Sequence, residues 1–405
     1  MTKVLLPAIW LIVLIVGLPQ LSETIYTPSL PDIARALQTS ESMAEYTLTI
    51  FLFGFAIGIL FWGRLSDKVG RKPCVFGGIF IFILGSIGCY LSGSITGLMI
   101  SRFIQAFGGS IGSVLGQAIC RDAFHGSALG KVYSSTGSAL AFFPAIGPIV
   151  GGLIAENFGW PIIFLSLIAF ALILSVLVAK YLPETHLGED RKSISISKVA
   201  LSLVKDKKII GLGVIVAACN GISFSYFAEG SFYLIKLLGL SPSEYGSSFI
   251  LIAVSTMLGG MTSRRLLKYH PSKTIMKYGL FIIFFISALF GGFVLCSTYI
   301  SLLPRSWMVA ITIIAQMGIM FGICMATSNA LAIALIDYKW CIGTASSLFG
   351  FFYYCLTSLV TLGMGYLHNG TLLAMPLYFL AISTLMLAVQ RRWLHERYFK
   401  SEAFS

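Results

Sequence analysis

Polar and charged side chains are scarce in the apolar stretches of this 405-residue chain, so each one found there is a candidate for chemistry. Arg102 lies in Leu98-Met99-Ile100-Ser101-Arg102-Phe103-Ile104-Gln105-Ala106-Phe107-Gly108-Gly109. On a helix Gln105 falls one turn on, on the same face, with Gly109 a further turn along. A cation beside an amide suits a buried polar centre. The ordinary alternative is an interfacial Arg reaching out to water. Glu23 stands near the end of the first apolar run, in Leu21-Ser22-Glu23-Thr24-Ile25-Tyr26-Thr27-Pro28-Ser29-Leu30-Pro31. A carboxylate there can exchange a proton, and burial and the Arg102 charge would pull its protonation in opposite directions. The ordinary alternative is an exposed acid at a helix end. Asp67, Arg71, Arg121 and Asp122 form a third group. Asp67 and Arg71 are one turn apart if the second helix continues inwards, and Arg121-Asp122 ends the fourth on the same side. Their ordinary reading is solvated topology charges worth under about 1 kcal/mol each.

The elements that must position these residues follow from composition. The chain is 57% hydrophobic and 11% charged, with mean hydropathy +0.89, whereas a soluble domain is about 25% charged. A span needs roughly 20 apolar residues, and twelve candidates occur. They lie at about 4–24, 43–63, 73–93, 95–119, 130–156, 160–182, 209–233, 246–267, 274–297, 305–335, 343–367 and 371–391. In lipid each backbone amide must be satisfied within its own element, so these are helices. Alternating-polarity strands are absent, which excludes a barrel. The expected fold is an all-α integral membrane protein.

The net charge of +12 is distributed by topology. With an inside N-terminus, only Arg35, Lys236 and Arg305 of the 28 Lys and Arg fall on outside segments, and Arg102 falls within a span. This bias places both termini in the cytoplasm. It assigns the basic excess to topology and membrane lipids, not to nucleic acid. The first span has one Lys before it, and Leu21-Ser22-Glu23 is no small-residue cleavage site, so it reads as a retained helix. The eight cysteines form no C-x-x-C pair and read as packing residues. A six-helix half over 1–182, a basic linker over 183–208, a second six-helix half over 209–391 and a tail over 392–405 are expected.

Gly63-Arg64-Leu65-Ser66-Asp67-Lys68-Val69-Gly70-Arg71-Lys72 sets five charges and two of its glycines between two apolar runs. Gly260-Met261-Thr262-Ser263-Arg264-Arg265 follows the eighth span as its degraded counterpart, without the Asp. In the fifth span Gly137, Ala141 and Ala145 recur every four residues, a spacing that lets a neighbouring helix approach closely. Pro148 permits a kink, within Ala145-Ile146-Gly147-Pro148-Ile149-Val150-Gly151-Gly152.

Over Gly63–Lys72 the form G-x-L-x-D-x-x-G-R-K resembles the loop that marks the major facilitator superfamily of secondary transporters. The R-x-x-Q-x-x-G pattern from Arg102 resembles that superfamily's fourth-helix motif, whose Arg is implicated in proton coupling. Ala145–Gly152 is similar to the antiporter motif of proton-coupled exporters, generally missing from importers. The Glu23–Pro31 run resembles the D-x-Y-x-P-x-x-P segment of Bcr/CflA drug-resistance transporters, with Glu23 one residue early. Ser328–Ala332 and Gly343–Gly350 are similar to the same subfamily. Pro161 departs from the Trp-Arg that many relatives carry after Gly159.

The resemblance implies twelve transmembrane helices in two pseudo-symmetric six-helix halves. It implies proton coupling through Glu23, Arg102 and Gln105, and a conformational latch of Gly63, Asp67, Gly70, Arg71, Arg121 and Asp122. The antiporter motif would comprise Gly137, Ala141, Gly147, Pro148, Gly151 and Gly152. Candidates for a cargo cavity are Tyr26, Asn220, Phe227, Glu229, Gln316, Asn329 and Tyr354, with Glu229 singled out as an acid close to the outer end of the seventh span. The five histidines make no H-x-x-x-H pair, and no G-x-x-x-x-G-K-[ST] loop occurs. The reading is a secondary transporter, not an enzyme. It needs no cofactor and uses a proton gradient to export small amphipathic compounds across an inner membrane, as a monomer. A dedicated exporter of one metabolite such as a siderophore, a nutrient importer and a non-transporting membrane protein remain as alternatives.

Overall fold

The computed structural model describes residues 6–124, 128–129, 132, 136, 142–185, 196–300 and 304–394. The described residues form helices and their connections, with no strand among them. Eleven helical stretches are long and apolar enough to cross a membrane, and Phe143–Phe158 is a shorter apolar helix. Large apolar side chains such as Phe80, Leu172, Val176 and Phe285 stand exposed along these helices. Polar residues such as Arg102, Gln105 and Glu229 are buried. That inversion suits a hydrocarbon surround, where the interior takes the groups that lipid cannot satisfy.

The chain divides into two compact units, residues 1–193 with 240–249, and 194–239 with 250–405. In the first, α1 (Ile9–Thr24) runs through a 3-10 turn at Thr27–Ser29 into α2 (Leu30–Ala36). The first span therefore continues well past residue 24, and Tyr26 and Thr27 are fully buried inside it rather than in a loop. Pro28 and Pro31 sit at first-turn positions, where a missing N–H costs nothing. Helix α3 (Glu41–Val69) starts at Ser40, whose hydroxyl accepts the Met43 N–H. It extends six residues beyond the expected end at 63, so Gly63 and Asp67 are helical. Only Gly70, at φ 108°, breaks the chain before α4 (Arg71–Tyr90). Helix α3 thus carries Asp67, while Arg71 opens the next helix across one glycine.

The fourth span is α5 (Ile95–Gly109) and α6 (Ile111–Ala123), parted at Ser110. Helices α7 (Phe143–Phe158) and α8 (Pro161–Tyr181) follow. Gly137 and Ala141 lie outside the described residues. Helix α5 packs on α3 and α4, and α1 packs on α6 and α7.

In the second unit the short helix α9 (Ile196–Lys205) precedes α10 (Lys207–Ser231), capped by Asp206, whose Oδ1 accepts the Lys208 and Ile209 N–H groups. Helix α10 gives way directly to a π-helical stretch, Phe232–Leu237. The others are α11 (Pro242–Leu266), whose first residues belong to the first unit, α12 (Ser272–Ile300), α13 (Arg305–Ala334), α14 (Ile342–Leu367) and α15 (Ala374–Trp393). Helix α10 is the most enclosed candidate span and packs on α13, α14 and α15.

Candidate functional site

Arg102 is fully buried, the largest such side chain among the described residues. The α5 backbone carries it into contact with Tyr26 and with Phe51 of α3, each ring centroid 4.0 Å from the guanidinium carbon. Its Nη1 donates to Gln105 Oε1 at 2.5 Å and to the Ser22 carbonyl at 3.2 Å. Gln105 Nε2 in turn donates to Ser86 Oγ at 2.8 Å, and the Tyr26 and Thr47 hydroxyls share a bond at 3.2 Å. Nε and Nη2 find no hydrogen-bond partner among the described residues. Glu23, 5% exposed, acts on Arg102 through space rather than through a direct bridge. The charge is therefore held by two π faces, the Gln105 amide oxygen and the Ser22 carbonyl. Such contacts are worth about 2 kcal/mol each when desolvated, against a burial penalty of several kcal/mol for an ion. The centre is an electrostatically incomplete one, a cation with spare donors beside an acid it does not clasp. Glu23, Tyr26, Arg102 and Gln105 thus come together.

The second cluster forms where α3 meets α4. Arg71 Nη1 binds Asp67 Oδ1 at 2.7 Å and Ser66 Oγ at 2.8 Å, and its Nε binds Asp122 Oδ2 at 2.7 Å. The backbone N–H groups of Arg71 and Lys72 donate to the two oxygens of Glu184, at 2.9 and 3.0 Å. The carboxylate sits at the positive end of α4. Gly70 supplies the left-handed φ, and a Cβ there would crowd Glu184 Oε2. Two members of the expected latch take no part in this ion cluster. Arg121 turns back to the Gln117 carbonyl of its own helix, and Gly63 serves only as a carbonyl acceptor for Ser66.

In α7, Gly147 and Gly151 face the end of α1. A Cβ on Gly151 would strike the Ile25 carbonyl oxygen, and one on Gly147 would strike Thr24 Oγ1. Gly152 faces the Pro242 carbonyl in the same way, and Pro148 is buried within the helix. These small residues bring helix backbones into direct contact.

In the second unit the candidate cavity residues differ in their settings. Glu229 is fully buried, and its Oε2 lies 2.7 Å from Nδ1 of His368 at the end of α14. Gln316 on α13 is 2% exposed, with Nε2 unpartnered among the described residues. Asn329 is spoken for: its Nδ2 donates to Ser263 Oγ at 2.7 Å and to the Met325 carbonyl at 2.8 Å. Phe227 packs edge-on to Phe224, and Tyr354 lies half-buried against Tyr353. Asn220 is half-buried. Sequence reasoning missed Glu184, His368, Phe51 and the buried Glu45. A Pro-Glu pair just after a span and a His at a span end were the available signals for the first two.

The major facilitator superfamily model matches residues 12–362. The chain belongs to the major facilitator superfamily. This superfamily member is 35% identical over 384 residues to an uncharacterised transporter of Rickettsia felis, covering 93% of this chain and 94% of that protein. It is 30% identical to a bicyclomycin resistance protein homolog of Haemophilus influenzae, over 82% of each. Among solved structures it resembles the partially occluded, inward-open xylose transporter XylE from E. coli, with a TM-score of 0.74 at 14% identity, covering 96% of this chain and 98% of that one. Membership makes this chain a multi-pass membrane transporter, not an enzyme.

Proposed function

We propose that this transporter exports small amphipathic compounds, drugs among them, in exchange for protons. The observation that carries the reading is the Arg102 centre: a fully buried cation, short of partners, beside the buried acid Glu23. An acid in that setting changes its attraction for Arg102 each time it gains or loses a proton. Proton and cargo then compete through one electrostatic balance, which is what exchange requires. The resistance-type relative and the glycine seam of α7 favour outward transport of drug-like molecules. A proton gradient supplies the energy without a cofactor, and one charge crossing 100 mV yields about 2.3 kcal/mol.

The Arg71 cluster acts as the latch in this scheme, making and breaking as the two halves alternate access. The protein works as a monomer in an inner membrane with both termini in the cytoplasm, as its basic loops suggest. The test is dye transport in inverted vesicles with and without an imposed pH gradient, in parent and Glu23→Gln. Gradient-dependent transport lost in the variant is the expected result. Retained coupling would move the proton to another acid. A parent that moves no dye would point to one dedicated metabolite.

A further inference from the structure

The second unit holds a polar cluster that the proton scheme does not use. Glu229 is a fully buried acid whose Oε2 is occupied by His368 and whose Oε1 has no hydrogen-bond partner among the described residues. His368 is itself braced by the Phe232 ring, centroids 5.6 Å apart. The carboxylate is therefore fixed in direction with one oxygen unspent. It sits where α10 passes into the π-helical stretch Phe232–Leu237, and π turns interrupt helices frequently at functional sites. Tyr233 lies beside both the Glu229 charge and Thr312 of α13. One turn along α13, Gln316 holds a buried and equally unspent Nε2 donor. A buried acceptor without a partner is costly to keep, so a transporter that retains one has a use for it when loaded.

We infer that Glu229 is a cargo subsite for a protonated amine, with Oε1 accepting from the ammonium head. Gln316 Nε2 is the donor available to a carbonyl or sulfonyl oxygen of the same molecule, and Phe232 and Phe227 are aromatic surface for its apolar body. This rests on the export reading and narrows its substrate class from amphipathic to amine-bearing.

The probes are dansylcadaverine, an amphipathic primary amine, and its N-acetylated neutral analogue. Fluorescence anisotropy with the full-length protein in detergent reads binding, and proteoliposomes with and without a pH gradient read transport. The parent is expected to bind the amine at least tenfold more tightly than the analogue. Glu229→Gln is expected to erase that preference, while the neutral compound binds within about twofold of the parent. Glu229→Asp, which keeps the charge on a shorter arm, is expected to retain a reduced preference. If Glu229→Gln fails to fold, the aspartate variant decides alone, by whether amine binding falls and neutral binding holds. Equal binding of both probes by the parent overturns the subsite, as does equal weakening of both in a normally melting Glu229→Gln. An amine preference without gradient-driven transport supports the subsite and sinks antiport. Gradient-driven transport without the preference does the reverse.

Discussion

The two halves carry the same joint built from different chemistry. In the first, the end of the second span is tied to the end of the fourth by ions, Arg71 holding Asp67 and Asp122 at 2.7 Å each. In the second, the matching place in the last turn of the eighth span is tied to the tenth by a neutral bond, Asn329 Nδ2 to Ser263 Oγ at 2.7 Å. Ser263 lies in the degraded counterpart of the charged segment, where the aspartate has been lost. A charge-assisted bond contributes about 1.5–3 kcal/mol and a neutral one about 0.5–1.5 kcal/mol. The ionic joint also leaves a buried charge behind when it opens, and the neutral joint leaves only a polar group. At this joint the larger switching cost lies in the first half, which also holds the Arg102 cation. At this joint the second half is tied more softly; its ion pair lies elsewhere, Lys208 Nζ to Asp337 Oδ2 at 3.0 Å, and it carries the buried acid Glu229.

The sharpest way to break this asymmetry is Arg102→Met, which removes the cation and strands Gln105. Stranding Gln105 Oε1 costs about 1–3 kcal/mol, and removing an under-partnered buried cation offsets it, so little net change in stability is expected. Thermal unfolding in detergent measures it, and transport should fall to background. Next comes Arg71→Gln, which leaves Asp122 without its ion partner and should cost about 2–3 kcal/mol. Thiol-labelling rates at engineered cysteines on either side of the membrane should show the conformational balance moved.

Asn329→Ala, the equivalent cut in the second half, should cost only about 1 kcal/mol. It should shift labelling less than Arg71→Gln does; equal shifts from the two would erase the claimed difference between the joints. The smallest effect is expected from Tyr26→Phe. It keeps the ring over Arg102 and loses the bond to Thr47, for about 0.5–1 kcal/mol by the same unfolding measurement.

Much of the fold was legible because lipid imposes one rule on every span, and apolar length alone reports it. The placement of Arg102 and Gln105 one turn apart was legible for the same reason, since helical periodicity fixes which residues share a face. The charged segment was legible in residues but not in shape. Its helical form depended on α3 continuing to Val69 and on a single glycine making the turn. Glu184 and His368 were hidden because their partners lie 113 and 139 residues away, at Arg71 and Glu229. No local period encodes such pairs. Arg121 misled because adjacency to Asp122 places it on the next face of the helix, turned away from Arg71.

The aromatic cage around Arg102 has an optical consequence. A positive charge 4.0 Å from the centre of the Tyr26 ring imposes a strong local field on that chromophore. Its near-ultraviolet band is displaced for as long as the guanidinium stays in place. The difference spectrum between the parent and Tyr26→Phe isolates that band from the other tyrosines. A displacement of the cation during turnover would register in that band without any label.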